Sequence, residues 1–304
     1  MQGSELRIDP IHDRAVIVAP KRGARPHDIP EETLSVVPRD CPFCLEALKK
    51  KGIVHTSGKG ATAIRVIKNG FPAVSLDNPK AHGYQEVLIE TPAHSVELAE
   101  LPVQKIDHLL HVYQHRTRAI AKKRGIEYIL IFKNHGGKAG ASLVHAHSQI
   151  FATGFVPPHI IQKLTNVRAY SIAKGHCYYC DTLAKEQRGP RRILANKHVV
   201  AFAPYVSAYP YEAWIFPRRH VDNLTRLSHA ERRAFAVAMR TILGKLNGIN
   251  VPYNYYLHQT LTDKDEHFYL RIAPRQSTWG GLEVGSRLII NQVAPEDAAK
   301  FYRK

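Results

Sequence analysis

The sequence predicts an α+β fold made by tandem duplication of one unit, with antiparallel sheets and helices packed on one face. Three observations predict it. All four cysteines fall into two C-x-x-C pairs, Cys41-Pro-Phe-Cys44 and Cys177-Tyr-Tyr-Cys180. Each pair is followed by an aromatic-led strand and a Pro-containing turn that ends on a histidine, Tyr84 to His94 and Tyr211 to His220. Each histidine is followed by a helical stretch, an apolar strand and a second His-bearing strand. The period exceeds that of short solenoid repeats, so the halves are read as two domains, residues 1–160 and 161–304.

In the first half, residues 49–63, rich in Lys, Gly and Thr, read as a loop, and 67–73 as the strand that precedes the Tyr84-led one. Leu98 and Leu101 lead into a helix over 103–123, where apolar residues recur at helical spacing. An apolar strand over 127–132 and a β-branched, apolar strand over 143–151 complete the unit. Phe155-Val-Pro-Pro-His159 breaks that strand, and the halves divide near 154–174. The second half repeats the order. A loop with Gly189-Pro190 covers 183–192, followed by strands at 199–205 and 211–217, a helix over 228–246, and strands at 253–258 and 266–272. The Gly-punctuated stretch 279–286 reads as a loop, 287–291 as a last strand and 295–302 as a closing helix. Hairpin-like connections within each half make the sheets antiparallel.

Composition sets the class. With 304 residues, 44% hydrophobic and 23% charged, the chain can build a well-buried core and reads as an ordinary soluble protein. No apolar run approaches the roughly 20 residues that span a bilayer, and the N-terminus lacks the apolar segment of a secretory signal. No membrane association and a cytoplasmic location are therefore expected. The formal charge of +17 points to an anionic partner. Basic residues nevertheless form only short clusters, at 49–51, 191–192, 218–219 and 232–233, and no nucleic-acid module is recognisable. A zinc-stabilised nucleic-acid-binding protein is the alternative to an enzyme.

In a reducing compartment disulfides are disfavoured, and a C-x-x-C pair is either a metal knuckle or a redox motif. Because two pairs account for every cysteine and each is followed by histidines at matching intervals, the metal reading is preferred. It gives two Cys2His2 sets: Cys41, Cys44, His94 and His145, and Cys177, Cys180, His220 and His267. Four protein ligands close each site, so each metal is structural, and zinc is the expected ion, although iron can occupy such ligands.

The run His145-Ala-His147-Ser-Gln149 carries the chemistry. On a strand, residues two apart share a face, so two imidazoles and an amide project together. An imidazole can attack phosphorus to form a phosphoramidate, and an amide N–H can hold a phosphoryl oxygen without adding charge. Among 18 histidines, a polar strand face with incidental imidazoles is the competing reading. The preceding Gly136, Gly137 and Gly140 favour phosphate chemistry, because a Gly-rich turn lets backbone N–H groups face phosphates. Lys133 and Lys138 read as solvated, and no acidic cluster nearby would hold magnesium. The second half has His267-Phe-Tyr269 where the first has His145-Ala-His147, so one chain carries one nucleophile.

The segment from Phe132-Lys-Asn134 through the Gly-rich turn and Ser142 to Gln149 resembles the galactose-1-phosphate uridylyltransferase family of the histidine-triad superfamily. The Cys-Pro-Phe-Cys knuckle, Asn69-Gly-Phe71-Pro-Ala and the Glu86–His94 strand-turn match in order, so the resemblance covers nearly the whole chain and the repeated unit is histidine-triad-like. It implies transfer of a nucleoside monophosphate, UMP by default, between a nucleotide sugar and a hexose 1-phosphate through a nucleotidylated histidine. His147 is then the nucleophile, with its other ring nitrogen held by a backbone carbonyl. Gln149 and Ser142 hold phosphoryl oxygens, Asn134 places the phosphates, Asn69 and Phe71 contact the nucleoside, and Glu283 binds sugar hydroxyls. A homodimer is also implied. Ala146 stands where the family commonly has Pro. The second C-x-x-C and the tail from Gly281 to Asp297 resemble the branch that includes plant ADP-glucose phosphorylases. In that branch inorganic phosphate takes the nucleotide, and dinucleoside-polyphosphate phosphorolysis is a related chemistry.

Overall fold

Ten strands form one continuous antiparallel sheet into which both halves of the sequence feed. The computed structural model describes residues 4–20, 41–48, 52–261, 263 and 265–304. The chain begins with β1 (Glu5–Asp9) and β2 (Arg14–Val18), then reaches the short helix α1 (Leu45–Leu48). The first unit follows as β3 (Ile53–Ser57), β4 (Ile64–Lys68), β5 (Gly83–Ile89), α2 (Val103–Ala121), β6 (Tyr128–His135) and β7 (His147–Thr153). Two helices, α3 (Pro158–Lys174) and α4 (Tyr178–Glu186), lead into β8 (Arg192–Ala195), β9 (Val199–Phe202), β10 (Ala213–Pro217), α5 (His229–Gly248), β11 (Tyr253–His258) and β12 (Tyr269–Pro274). The chain closes with α6 (Gly281–Ser286), β13 (Leu288–Asn291) and α7 (Pro295–Arg303).

The large sheet runs β3-β4-β5-β7-β6-β11-β12-β10-β9-β8. Its two halves meet where β6 pairs with β11, Asn134 opposite Asn254 and Phe132 opposite Tyr256. Strand alternation sorts the side chains. Ile150 and Ala152 of β7, Ile215 of β10 and Leu270 and Ile272 of β12 join Leu109, Tyr113, Phe235 and Met239 of α2 and α5 in the main core. The opposite face of the second half is covered too. There Val167 of α3 and Tyr179 and Leu183 of α4 pack on Phe202, Trp214, Phe216 and Tyr269.

The predicted class holds, and several elements differ from expectation for physical reasons. Of the expected loop 49–63, residues 49–51 lie outside the described residues. Ile53–Ser57 is an edge strand paired with β4, as its β-branched run Ile-Val-His-Thr permits. The division at 154–174 holds a 17-residue helix, because Pro158 sits in its first turn, where a missing N–H costs nothing. Helix α4 takes the first residues of the loop expected at 183–192. Residues 281–286 of the expected tail loop form α6, with Glu283 Oε2 accepting from Gly280 N at 2.9 Å. The strand expected over 67–73 ends at Lys68, the one over 199–205 at Phe202, and the His-bearing strands begin only at His147 and Tyr269. Strands β1 and β2 were not anticipated. They form a separate sheet with β13, which runs parallel to β2.

Helix α2 is tied to the sheet by one buried ion pair. Arg116 Nε and Nη2 donate to Glu86 Oε2 and Oε1 at 2.9 and 2.6 Å, a bidentate bond between buried side chains. Removing one member strands the other charge, at a cost of about 3–5 kcal/mol. Chemical denaturation of Arg116→Met is expected to show that loss, and the Arg116→Met/Glu86→Met double variant to recover much of it.

Candidate active site

His145 and His147 are brought to one side of the sheet by the end of β7 and its lead-in. The His147 ring is buried, with 6% of the residue exposed. Its Nδ1 lies 2.9 Å from the His145 carbonyl oxygen. A carbonyl only accepts, so Nδ1 carries the proton and Nε2 keeps its lone pair. Burial lowers the pKa of the ring, opposed by that same hydrogen bond, so the imidazole is neutral at neutral pH. Phe43, from the C-x-x-C knuckle, packs against His147 with ring centroids 5.0 Å apart. Gln149 lies two residues along β7 on the same face, opposite Val87 and Phe132, and its amide makes no hydrogen bond among the described residues.

Beneath β7, on the core face, Lys133 is buried rather than solvated. Its Nζ donates to Glu90 Oε2 at 2.8 Å, lies 3.2 Å from Glu97 Oε2, and reaches the His147 carbonyl at 3.4 Å. Burial pushes Glu97 up, but Lys133 and His135 outweigh it and hold the carboxyl at about 2. Burial raises Glu90 against the pull of Lys133. This network fixes the backbone of the strand that bears His147 from behind.

The Gly-rich turn has a different use from the one expected. Gly136 and Gly140 have φ of +83° and +81°, and a Cβ on Gly136 would meet Pro252 at 2.9 Å. The N–H groups of Ala139, Gly140 and Ala141 are spent on the carbonyls of Gly136 and Gly137, so those three amides do not face a phosphate. Asn254, which the sequence reading passed over, staples this turn. Its Nδ2 donates to Asn134 Oδ1 at 2.8 Å and to the Ala139 carbonyl at 2.7 Å. Asn134 in turn donates to the Gly140 carbonyl at 3.3 Å.

The other candidates are more dispersed. Ser142 is exposed on the loop that delivers His145. Asn69 Oδ1 accepts from Phe71 N at 2.8 Å, and Phe71 is 97% exposed. Asn69 N donates to the Gln85 carbonyl, and Gln85 lies four residues along β5 from Ile89, the partner of His147. The separation is roughly 13 Å along the strand. Glu283 caps α6, which packs on β13 in the small sheet, and no described contact joins it to His147.

Both Cys2His2 sets assemble and could hold metal ions, with all ligand atoms of each within 4.8 Å of one another. Cys44 Sγ lies 3.5 Å from His94 Nδ1 and 3.7 Å from His145 Nδ1, and Cys41 Sγ lies 3.6 Å from His145 Nδ1. In the second set Cys180 Sγ lies 3.4 Å from His220 Nδ1 and 3.8 Å from His267 Nδ1. A tetrahedral ion with bonds of about 2.3 Å to sulfur and about 2.0–2.1 Å to nitrogen has S···N edges of about 3.6 Å, so the spacing fits. The far nitrogens of His145 and His267 donate to the carbonyls of Thr91 and Pro217 at 2.8 and 3.0 Å, which leaves each Nδ1 lone pair facing the thiols.

The family model described as galactose-1-phosphate uridyl transferase, N-terminal domain, matches residues 1–157, and that of a domain of unknown function (DUF4921) matches residues 96–301. An ADP-glucose phosphorylase from Arabidopsis thaliana is 32% identical, over 100% of this chain and 93% of its own. The chain belongs to the galactose-1-phosphate uridylyltransferase family. Within that family, a galactose-1-phosphate uridylyltransferase from Thermotoga maritima is 28% identical, over 99% of this chain and 98% of its own. The crystal structure of an Arabidopsis thaliana ADP-glucose phosphorylase with bound ADP-glucose superimposes with a TM-score of 0.88, at 32% identity and 99% coverage of both chains. A uridylyltransferase structure gives 0.77 at 27% identity, covering 98% and 97%. Family members of both kinds transfer nucleotidyl groups, and this chain is an enzyme of that class. Among the described residues, no helix is long and apolar enough to cross a membrane.

Elemental analysis of purified protein checks the metal sites. Cys41→Ser is expected to remove one of two metal equivalents, Cys177→Ser the other, and the double variant both. Chelation of the wild type is expected to lower its unfolding temperature, because bound metal adds to folding stability.

Proposed function

We propose that this enzyme moves a nucleoside monophosphate, with uridylyl the leading candidate, between a nucleotide sugar and a hexose 1-phosphate. One observation carries the reading: the His145 carbonyl holds His147 Nδ1–H and leaves Nε2 free on the face shared with Gln149. In the first step Nε2 attacks the α-phosphorus. The bond from that phosphorus to the bridging oxygen breaks, and the sugar 1-phosphate leaves with the electron pair. A phosphoramidate remains on His147, its positive charge eased by the Nδ1–H bond. In the second step an oxygen of the acceptor phosphate attacks phosphorus and the P–N bond breaks. Gln149 and Ser142 donate to the phosphoryl oxygens as charge shifts, and Asn134, held by Asn254, orders the phosphates. Asn69, bonded through its N–H to Gln85 of β5, and Phe71 contact the nucleoside, and Glu283 takes sugar hydroxyls. Residues 1–160 supply the nucleophile, while 161–304 support it.

Zinc is the ion proposed for both Cys2His2 sets. Thiolate and imidazole donors suit it, and four protein ligands leave no open position for catalytic water. Its role is to fix the knuckles.

A second reading within the same chemistry takes inorganic phosphate as acceptor. It is favoured by the 32% identity to the Arabidopsis thaliana ADP-glucose phosphorylase over the full chain. One experiment tests both. Incubation with UDP-glucose or ADP-glucose, each labelled at the α-phosphate, is expected to leave acid-labile label on the His147 peptide. Release by hexose 1-phosphate identifies a transferase, release by inorganic phosphate a phosphorylase, and the labelled base names the nucleotide. His147→Ala is expected to lose labelling and to lower turnover about 10⁴-fold or more with metal content intact. Normal turnover in that variant would falsify the assignment. Gln149→Ala, lacking one oxyanion donor, is expected to lower kcat about 10²–10³-fold in the same assay.

A further inference from the structure

The sheet face that bears His147 and Gln149 continues across β6, β11 and β12, and it ends at a cluster of arginines. Gln149 pairs with Phe132, Phe132 with Tyr256, and Tyr256 with Arg271. Three inter-strand steps separate the backbones of Gln149 and Arg271 by roughly 14 Å. Phe132 and Tyr256, both half-buried, floor the space between them.

Arg271 is only 4% exposed. Its Nε lies 2.6 Å from Glu212 Oε1, but its Nη2 is buried without a hydrogen-bond partner among the described residues. Arg14 Nη1 and Arg275 Nε are likewise buried with no hydrogen-bond partner among the described residues. The three belong to one cluster. The Tyr209 ring lies 5.7 Å from the Arg271 guanidinium and 5.4 Å from that of Arg275. Tyr256 lies 5.6 Å from Arg271 and feels the charge of both Arg271 and Arg14. Tyr209 is itself held by stacking on Trp279.

The nearby carboxylates balance this cluster only in part, Glu212 through Arg271 and Asp9 through its proximity to Arg14. Glu212 already accepts from Ala208 N, Tyr209 N and Trp214 Nε1. Asp9 is bonded to His12 at 2.6 Å, and Glu266 is paired with Lys163 at 2.5 Å. Among the described residues Glu212 pairs with Arg271 alone, and no carboxylate is hydrogen-bonded to Arg14 or Arg275. Buried charged donors call for an acceptor, and guanidinium N–H groups match the oxygens of a phosphate dianion.

We propose that Arg14, Arg271 and Arg275 form a second phosphate subsite, which binds a phosphate monoester at the far end of the sugar that reacts at His147. The aromatic floor of Phe132 and Tyr256 suits the apolar face of a sugar ring, and the collinear order of nucleophile, floor and arginines suits a sugar with phosphates at both ends. This assignment rests on the sugar 1-phosphate reading given above.

Two measurements test it, one independent of turnover. By calorimetry, inorganic phosphate is expected to bind wild type and His147→Ala alike, and the Arg14→Gln/Arg275→Gln variant at least tenfold more weakly. That variant leaves the buried Arg271–Glu212 pair in place, and circular dichroism verifies its fold. Equal phosphate binding by wild type and the double variant overturns the subsite, whether or not His147 becomes labelled. In steady-state assays, the ratio of kcat/KM for glucose 1,6-bisphosphate to that for glucose 1-phosphate is expected to exceed ten in wild type and to fall at least tenfold in the double variant. Phosphate binding lost in the double variant, but without a bisphosphate preference in wild type, overturns the distal phosphate as ligand and leaves free phosphate as the occupant.

Discussion

His145 joins the first Cys2His2 set to His147, the proposed nucleophile. Its Nδ1 faces the thiols of Cys41 and Cys44, its Nε2–H is taken by the Thr91 carbonyl, and its own carbonyl takes the Nδ1–H of His147. Each contact fixes the next. The Thr91 bond selects the tautomer that can ligate a metal, the ligand cluster holds the residue in place, and the placed carbonyl selects the Nδ1–H tautomer of His147. The irregular lead-in to β7 follows from this. A regular strand at 145 would spend that carbonyl on a ladder, whereas ending the strand at His147 leaves it for the imidazole two residues on.

The second half shows what happens when this chain of contacts loses its last link. His267 repeats the arrangement of His145, with Nδ1 toward Cys180 and Nε2–H on the Pro217 carbonyl. The knuckle aromatic is repeated as well, since Tyr179 packs against Tyr269 at 5.4 Å much as Phe43 packs against His147. The space beside Tyr269 is filled by the turn between β1 and β2. There His12, bonded to Asp9 through Nδ1, places Nε2 3.2 Å from the hydroxyls of both Tyr269 and Tyr179. Where the first half presents His147 to an open face, the second half keeps the ligand set beside a face plugged by protein.

The duplication, both ligand sets, the His147 face and the long helices were legible in the sequence because each depends on spacing or periodicity within a short window. The features that were not legible depend on long-range register. Asn254 gains its role only when β11 lies against β6, and the insertion of His12 requires the N-terminal hairpin to dock on the other half. Lys133 is the instructive exception. It shares strand parity with Ile129 and Ile131, which are in the core, so alternation alone places it inside. Reading it as solvated weighted its charge over its position. The Gly-rich turn misled in the opposite direction, because glycines that permit a cradle also permit a self-bonded turn. Only the partners of Ala139, Gly140 and Ala141 separate the two.

Lys133 and Arg271 also show how buried charge divides between structure and recognition. Both lie almost wholly inside, at 1% and 4% exposure. Lys133 has two carboxylates, Glu90 and Glu97, and a carbonyl within reach, so its ammonium is satisfied within the protein and it works as a brace. Arg271 has a single carboxylate, Glu212, which also accepts from two amides and an indole, and its Nη2 has no partner among the described residues. Desolvating a cation without completing its hydrogen bonds opposes folding, so an arrangement that leaves three such donors together is stabilised by an anion that binds there. The two cations lie on opposite faces of the same sheet: the satisfied one on the core face under the nucleophile strand, the unsatisfied ones in line with the nucleophile's face. The sheet thereby separates the charge that holds the site together from the charge left available to a substrate.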